Sequence, residues 1–324
     1  MKISVVIATC NGGKYLAEQL ESICCQTLSP DEIVISDDCS TDGTLQVAEE
    51  FAAKYDGIKF QISVNPSGVG CDANFERAIA LAAGEVIYLA DQDDVWLPDR
   101  LEIMQSILDS SPRPGAVFCD SRIVDCSLND LGHTHWQSRG FADSDTIFAD
   151  GQAAFLKRVP AAGHDMAFDS SFRDILLPFP RLDNCYDTWI GVVLFALGAW
   201  RKPSDIPLTL FRRHPESLSG SGVKRGLAGK LREAKQAVAN DASGWYAALY
   251  AELILRLRGR VSCEMLALLE ARRLHSLARS QMNVPLAKRL PMIWKETLNG
   301  NYFRFGRGFL NIAQDIFLRH GAKG

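Results

Sequence analysis

The sequence predicts an α/β protein with a mainly parallel, doubly wound sheet, followed by a region made of helices only. Over roughly the first 110 residues, short β-branched runs alternate with amphipathic helical segments. Strands that alternate with helices in this way pair in parallel through right-handed crossovers. Beyond residue 222 the periodicity is helical throughout. We therefore expect two domains, residues 1–222 and residues 223–324.

The predicted elements follow one another with short polar turns between them. Strands are predicted at residues 3–9, 32–36, 59–64, 85–90, 116–120 and 208–210. Helices are predicted at residues 15–26, 45–55, 71–83, 99–110 and 189–200, and beyond the boundary at 224–240, 243–259 and 262–281. Residues 127–150 are polar and irregular, which predicts a mobile loop or lid. His133 and His135 lie in this stretch without a third metal ligand nearby, so we expect surface histidines.

Composition indicates an ordinary folded protein in a reducing compartment. The 324 residues are 47% hydrophobic and 23% charged, which is enough apolar content for a full core. Nine cysteines, an odd number with no C-x-x-C pair, predict free thiols, and the start Met-Lys-Ile-Ser is unlike a signal peptide. The longest apolar stretch, residues 189–200, falls short of the about 20 residues that span a bilayer. A cytoplasmic protein is therefore expected.

The net charge of −4 conceals a marked asymmetry. Residues 224–324 contain 18 Lys and Arg against 7 Asp and Glu, a net charge of +11, which leaves −15 for residues 1–223. The basic part ends in aromatic residues from Tyr302 to Phe317. Two interpretations stay open: attachment to the inner face of an anionic plasma membrane, or packing of the aromatics on the catalytic domain or in a homodimer. A nucleic-acid partner is not expected.

The most informative stretch is Asp91-Gln92-Asp93-Asp94, which follows a buried strand. Ligands of open α/β sheets bind at the carboxyl ends of the strands. Clustered carboxylates repel one another, and a hard divalent cation such as Mg²⁺ or Mn²⁺ relieves that repulsion. The alternative is an acidic surface turn in which Asp99 caps a helix. The glycines form neither G-x-G-x-x-G nor G-x-x-x-x-G-K-[ST], which counts against a dinucleotide site and a P-loop.

Five segments together carry a known pattern. They are residues 5–11 (Val-Val-Ile-Ala-Thr-Cys-Asn), 35–44 (Ile-Ser-Asp-Asp-Cys-Ser-Thr-Asp-Gly-Thr), 89–96 (Leu-Ala-Asp-Gln-Asp-Asp-Val-Trp), 186–189 (Tyr-Asp-Thr-Trp) and 211–214 (Phe-Arg-Arg-His). This set resembles the family 2 glycosyltransferases with the GT-A fold, in particular the bacterial rhamnosyltransferase-like members that build surface polysaccharides. The resemblance covers roughly the first 220 residues. It implies a nucleotide-diphosphate sugar donor, such as a UDP- or dTDP-sugar, and a glycan or lipid-linked acceptor.

The resemblance also implies roles for the residues that match the donor site. Thr9 and Asn11 lie where the family holds the nucleotide, and Asp38 where a carboxylate accepts from the base N–H. Asp91 and Asp93 stand at the ends of the D-x-D motif, with Asp93 the direct ligand of Mg²⁺ or Mn²⁺.

Further residues match the transfer step and the acceptor side. Asp187 matches the general base, with a helix N-cap as the alternative. Arg212 and His214 match a basic motif and are expected to donate hydrogen bonds to the diphosphate. The alternatives are a pair with a surface acid for Arg212, and a metal ligand or a turn residue for His214. Gly163, His164 and Trp189 are candidate acceptor contacts, with an inert loop as the alternative for His164. One base opposite the diphosphate implies inversion at the anomeric carbon.

Two other classes of function remain open at this stage. A nucleotidyltransferase shares a nucleotide-binding sheet and an acidic metal motif, but it normally needs a Gly- and basic-rich loop after the first strand. Here that loop holds only Lys14. A non-catalytic scaffold that binds nucleotide sugars predicts donor binding without turnover, and the complete acidic set argues against it.

Overall fold

The computed structural model describes residues 1–149, 155–157, 159–215 and 227–318. The chain divides into two compact units, the first formed by Met1–Thr146 with Pro160–Gly222 and the second by Ile147–Val159 with Val223–Gly324. The sequence indicates the change of character near residue 222. It does not indicate that the short segment 147–159 belongs with the helical unit.

The strands of the first unit form two sheets. They are β1 (Ile3–Thr9), β2 (Glu32–Asp37), β3 (Lys59–Val64), β4 (Val86–Ala90), β5 (Val95–Trp96), β6 (Ala116–Phe118), β7 (Asp120–Val124), β8 (Asp130–Thr134), β9 (Met166–Asp169) and β10 (Pro207–Arg212). The larger sheet has the order β3-β2-β1-β4-β9-β6, and the smaller one β5-β10-β7-β8. In the larger sheet β1, β2, β3 and β4 pair in parallel, whereas β9 is antiparallel to β4 and β6. The predicted GT-A-like α/β fold is confirmed.

The helices of the first unit cover this sheet or follow the smaller one. They are α1 (Leu16–Cys24), α2 (Thr44–Lys54), α3 (Cys71–Leu81), α4 (Arg100–Asp109), α5 (His135–Arg139), α7 (Arg173–Leu176) and α8 (Tyr186–Ala196). Helix α6 (Ser144–Ala149) begins in the first unit and ends in the second, whose first segment starts at Ile147. Strands β2 and β4 are buried along their whole length because both faces of a parallel sheet are covered. This burial explains the apolar runs at residues 33–35 of β2 and 86–90 of β4.

The stretch predicted as an irregular lid is largely ordered. Within residues 127–149 the chain forms β8, α5 and α6, and Thr134 caps α5 through a capping box with Gln137. His133 and His135 are buried rather than on the surface, so that expectation is wrong. His133 is the one buried residue of β8, which is otherwise mostly exposed. His135 begins α5, and its ring lies beside Phe211 at 6.0 Å, a contact between segments distant in the sequence that no local pattern reveals.

The helical unit contains α9 (Leu227–Ala239), α10 (Ala242–Leu257), α11 (Cys263–Ser280), α12 (Leu286–Leu298), α13 (Asn301–Phe305) and α14 (Phe309–Phe317). Met282, Ile293 and Tyr302 form a small buried core in it. The predicted helical C-terminal part is confirmed. All nine cysteines of the chain are free thiols, as the sequence predicts. In the described part of the chain, no helix has the length and apolar character that a bilayer crossing requires.

Candidate active site

The acidic motif follows β4 at the carboxyl edge of the larger sheet, beside β1. Ile7 of β1 stands opposite Ala90 in the parallel register, so the loops after both strands are neighbours. Gln92 holds them together: its Oε1 accepts from the Cys10 N–H at 2.9 Å and its Nε2 donates to the Cys10 carbonyl at 3.1 Å. A Cβ on Gly12 would lie 2.2 Å from Gln92 Oε1, which explains the glycine there. The acidic motif and the first loop therefore form one surface.

Asp93 and His214 face each other across this surface. His214 Nε2 lies 2.8 Å from Asp93 Oδ2, although the two residues are 121 positions apart in the sequence. The Asp93 side chain is 19% exposed. This contact is a hydrogen bond or ion pair, and its carboxylate oxygen and imidazole nitrogen are also donor atoms of the kinds that ligate divalent cations. The structure thus brings together two residues that the sequence predicts separately.

Arg212 is buried and hydrogen-bonds to other protein groups rather than facing an open site. Its backbone N–H donates to Asp94 Oδ1 at 3.0 Å, its Nε donates to the Asp93 carbonyl at 2.8 Å, and its guanidinium also pairs with Glu18. A further N–H donates to the Cys126 carbonyl at 2.8 Å. Arg212 is 2% exposed. This burial argues against the predicted contact between its guanidinium and a diphosphate.

A second acidic group lies deeper, around His164. Ligand atoms of Asp91, Asp94 and His164 all lie within 4.8 Å of one another, so this trio also has donor atoms for a metal. His164 Nδ1 lies 3.7 Å from Asp91 Oδ2, and its Nε2 lies 3.1 Å from Asp165 Oδ2. Asp94 is fully buried, whereas the Asp91 side chain is 30% exposed. Of this trio, Asp91 is therefore the member that an incoming donor can reach.

Burial and charge shift the pKa values in this group strongly. Burial opposes the imidazolium of His164, but the surrounding Asp165, Asp94 and Asp91 raise its pKa to about 10. Burial also raises the pKa of Asp91 to about 6, against the opposing effect of His164. The pKa of Asp165 is held below its ordinary value although burial disfavours its charge, because His164 and Arg100 are close. Groups with such shifts are typical of functional sites.

The predicted nucleotide residues divide into exposed and buried ones. Asn11 is exposed with a positive φ of 49°, and its Oδ1 accepts from the Thr41 N–H at 2.9 Å, which joins the loops after β1 and β2. Thr9 is fully buried and donates to Asp37 at 2.7 Å, which argues against a direct nucleotide contact by its hydroxyl. Asp38 accepts from the N–H groups of Val69 and Gly70 at 2.7 and 2.9 Å.

Asp187 lies in the first turn of α8, inside the helix. The N-cap is Cys185, so the alternative reading of Asp187 as the cap is wrong. Burial raises the pKa of Asp187, although the charge of Arg139 and hydrogen bonds from Thr188 oppose the shift. Asp187 also adds to the charges that raise the pKa of Asp91. Asp187, the predicted base, thus influences the pKa of Asp91, which lies in a different segment of the chain.

The remaining acceptor candidates are buried. Trp189 is fully buried and donates from its indole N–H to the Leu176 carbonyl at 2.8 Å, so it packs in the core and offers no surface to an acceptor. Gly163 is buried where a Cβ would lie 2.2 Å from the Tyr186 hydroxyl oxygen. The lack of a side chain at Gly163 allows the Tyr186 ring to pack against the backbone there. His164 is 4% exposed and belongs to the acidic group.

Sequence reasoning missed Asp72, in the first turn of α3. Asp72 accepts from the backbone N–H groups of Cys185 and Tyr186 at 2.9 and 3.2 Å, and so satisfies the N-terminus of the helix that carries Asp187. An acid in a first helical turn is too common for its sequence position to reveal this role. A cleft of about 410 Å³ lies beside it, between the start of α3 and residues 179–184.

A family model described as glycosyl transferase family 2 matches residues 4–171. The chain belongs to glycosyl transferase family 2. Among curated relatives, the putative glycosyltransferase EpsE of Bacillus subtilis is 34% identical over 108 residues, which is 33% of this chain and 38% of EpsE. The abequosyltransferase RfbV of Salmonella typhimurium is 35% identical over 137 residues, which is 42% of this chain and 40% of RfbV. The chain therefore matches less than half the length of these relatives.

Solved structures of glycosyltransferases share the fold of this family 2 chain. S. aureus TarS residues 1–349, in complex with UDP-GlcNAc, superposes with a TM-score of 0.57 at 20% identity and covers 98% of this chain and 88% of that one. The mannosyltransferase PcManGT from Pyrobaculum calidifontis, in complex with GDP-Man and Mn²⁺, has a TM-score of 0.51 at 21% identity and covers 85% of this chain and 80% of that one. At these identities the likeness concerns the fold.

Proposed function

We propose that the protein is an inverting, metal-dependent glycosyltransferase that moves a sugar from a nucleoside diphosphate to an acceptor hydroxyl. The observation that carries the proposal is that the acidic motif at residues 91–94 meets two distant segments. Asp93 lies 2.8 Å from His214, which follows β10. Tyr186, the neighbour of Asp187 in α8, packs on Gly163, and the next residue, His164, lies 3.7 Å from Asp91. Each of these segments supplies a different part of the chemistry. Family membership supports the reaction class.

The donor nucleotide is assigned to the loops after β1 and β2. Asn11 and Asp38 lie on these loops, and hydrogen bonds to Thr41, Val69 and Gly70 fix their positions. Asp38 already accepts from the N–H groups of Val69 and Gly70 and from Asn65 Nδ2. A carboxylate has about four lone-pair sites, so one site remains for a base N–H. Because these contacts form within the protein, the site is preorganised for a nucleotide.

Asp93 and His214 would hold the divalent cation, with Asp91 beside them. The test of fit is the donor set: an imidazole nitrogen 2.8 Å from a carboxylate oxygen, with the Asp91 carboxylate partly exposed nearby. Asp94 is a poorer candidate, since it is fully buried and already accepts from the Arg212 N–H. When bound, Mg²⁺ or Mn²⁺ neutralises charge that develops on a leaving diphosphate.

Asp187 takes the proton of the acceptor. The acceptor oxygen attacks the anomeric carbon, the bond from that carbon to the diphosphate oxygen breaks, and the hydroxyl proton passes to the Asp187 carboxylate. Partial burial suits Asp187 to this step because a raised pKa makes a carboxylate a better base. A single base opposite the leaving group produces inversion.

The acceptor is assigned to the cleft beside Asp72, whose lining includes Asn184, close to Asp187 in the chain. We favour a glycan or lipid-linked acceptor in cell-surface polysaccharide synthesis, and a UDP- or dTDP-sugar donor of the rhamnose type. Two relatives support this class of reaction: TarS of Staphylococcus aureus is a poly(ribitol-phosphate) β-N-acetylglucosaminyltransferase, and RfbV is an abequosyltransferase.

The test is a screen of nucleotide sugars for protein-dependent release of nucleoside diphosphate, with Mn²⁺ and with EDTA. Asp187→Asn should keep donor affinity in titration calorimetry and lose turnover by about 10²- to 10⁴-fold. Glu49→Gln, an exposed acid on α2, is the matched control. Donor affinity that is equal in EDTA would contradict the metal site, and wild-type turnover of Asp187→Asn would contradict the base.

A further inference from the structure

The end of the helical unit exposes an unusual amount of apolar surface. Between residues 286 and 317, eight large apolar side chains are 43% to 77% exposed: Leu286, Leu290, Trp294, Leu298, Phe303, Phe309, Leu310 and Phe317. On α12 the exposed residues recur every four positions, so they share one face of the helix. Exposed apolar surface of this extent marks a docking site for a partner or a membrane.

In the same stretch, most basic residues are exposed and the acidic residues are buried. Lys288, Lys295, Arg304 and Arg307 are all exposed. The only acids between residues 284 and 318 are Glu296 and Asp315, and both are buried.

Each of these acids is held by polar partners inside the unit. Glu296 lies 2.6 Å from His275 Nδ1 and accepts from Asn301 at 2.9 Å. Asp315 accepts from Arg279 at 2.7 Å and from the Tyr302 hydroxyl at 2.8 Å. The exposed charge of this stretch is therefore entirely positive.

We propose that the exposed face of α12, α13 and α14 docks in the plane of an anionic lipid surface. Trp, Phe and Leu side chains enter the boundary between headgroups and acyl chains, while lysines and arginines contact anionic headgroups. The positive charge of the exposed face favours an anionic lipid surface over a second copy of the chain as the partner. An isologous dimer through this face would bring like charges together, and the stretch offers no exposed acid to pair with them.

Vesicle flotation of the full-length protein tests the proposal, using phosphatidylcholine with and without phosphatidylglycerol at low and high salt. Binding should require phosphatidylglycerol and weaken with salt. The double variant Trp294→Ala/Phe309→Ala should lower the partition coefficient by about tenfold or more, and so should the quadruple variant Lys288→Gln/Lys295→Gln/Arg304→Gln/Arg307→Gln. All these positions are exposed, so the fold should persist in circular dichroism.

The matched controls come from the same unit, outside the face. Leu255→Ala, at 65% exposure on α10, and Arg258→Gln/Arg260→Gln should bind vesicles like the wild type. Absence of binding to anionic vesicles at low salt, or equal losses in the controls, overturns the proposal. A dimer in sedimentation velocity that Trp294→Ala/Phe309→Ala abolishes assigns the face to a second copy and overturns it too. None of these measurements depends on glycosyl transfer.

Discussion

As the proposed base, Asp187 must be charged, although its burial favours the neutral carboxyl. A base must be deprotonated to accept a proton, yet burial favours its protonated form and raises its pKa. Because the pKa in the folded state lies above that in the unfolded chain, this carboxyl stabilises the fold below the unfolded pKa. That contribution is lost as the pH rises through the folded pKa. At neutral pH the charged Asp187 therefore costs stability in exchange for basicity.

The raised pKa of Asp187 predicts the pH dependence of kcat and the stability of the variant Asp187→Asn. With saturating donor, kcat should fall on the acid side around a pKa above the ordinary value of an aspartate, since the protonated carboxyl cannot act as a base. Asp187→Asn should unfold in urea at pH 7 at the same or a higher midpoint than the wild type. Saturation with donor separates Asp187 from Asp91, whose titration should affect donor affinity instead. A clearly lower urea midpoint for the variant would show that the Asp187 charge stabilises the fold.

At the scale of elements, α8 depends on α3 for its start. The cap position of α8 has no side-chain cap of its own, and Asp72 supplies acceptors for the N–H groups of Cys185 and Tyr186. Since Asp187 follows directly, the orientation of this proposed base rests on a carboxylate 113 residues before Cys185 in the chain. We therefore propose that Asp72 is a positioning residue for Asp187.

We expect Asp72→Ala to lose about 1 kcal/mol of stability, as for a lost helix cap, and to lower kcat more than it weakens nucleotide binding. Asp72→Asn keeps one acceptor oxygen, so its stability and its kcat should lie between those of the wild type and those of Asp72→Ala. The matched control on the same helix is Glu76→Ala, which removes the acceptor for the Phe179 N–H at 2.7 Å but leaves the start of α8 intact. Chemical denaturation, calorimetry and kcat measured together provide the check. Equal effects of both variants on kcat would reduce Asp72 to a stabilising role.

Three of the strands that the sequence predicts are buried along nearly their whole length. β1, β2 and β4 are β-branched runs whose burial leaves a clear apolar signal. β5 escaped prediction because it has only two residues and pairs with β10, which lies far along the chain. β8 escaped prediction for another reason: its partner β7 is close in the sequence, but β8 is polar and mostly exposed, so it leaves no apolar signal.

In the candidate site, too, the sequence predicts local patterns but not the contacts between distant segments. The acidic motif and Asp187 stand in recognisable local patterns, whereas the contact of Asp93 with His214 joins residues 121 positions apart. The burial of His164 likewise follows from the pairing of β4 and β9, which no local pattern encodes.

At the scale of the whole molecule, the chain crosses between its two units more than once. Ile147, Phe155, Leu156 and Val159 are buried, and they belong to the helical unit although residues 160–222 return to the first one. The Leu156 carbonyl accepts from the Tyr250 hydroxyl at 3.2 Å, which ties the segment to α10. A cut at the compositional boundary therefore divides the second unit.

We predict that a truncated protein ending at Gly222 is poorly soluble, whereas one that also replaces residues 147–159 with a Gly-Ser linker is not. The first truncation removes the helices against which the apolar side chains of 147–159 are buried. Each side chain of this size loses about 1.5–3 kcal/mol of burial free energy when it is exposed to water. Binding of the dye ANS and sedimentation velocity should show exposed apolar surface and aggregation for the first protein and a monodisperse species for the second. If both behave alike and remain soluble, the segment 147–159 does not depend on the helical unit for its burial.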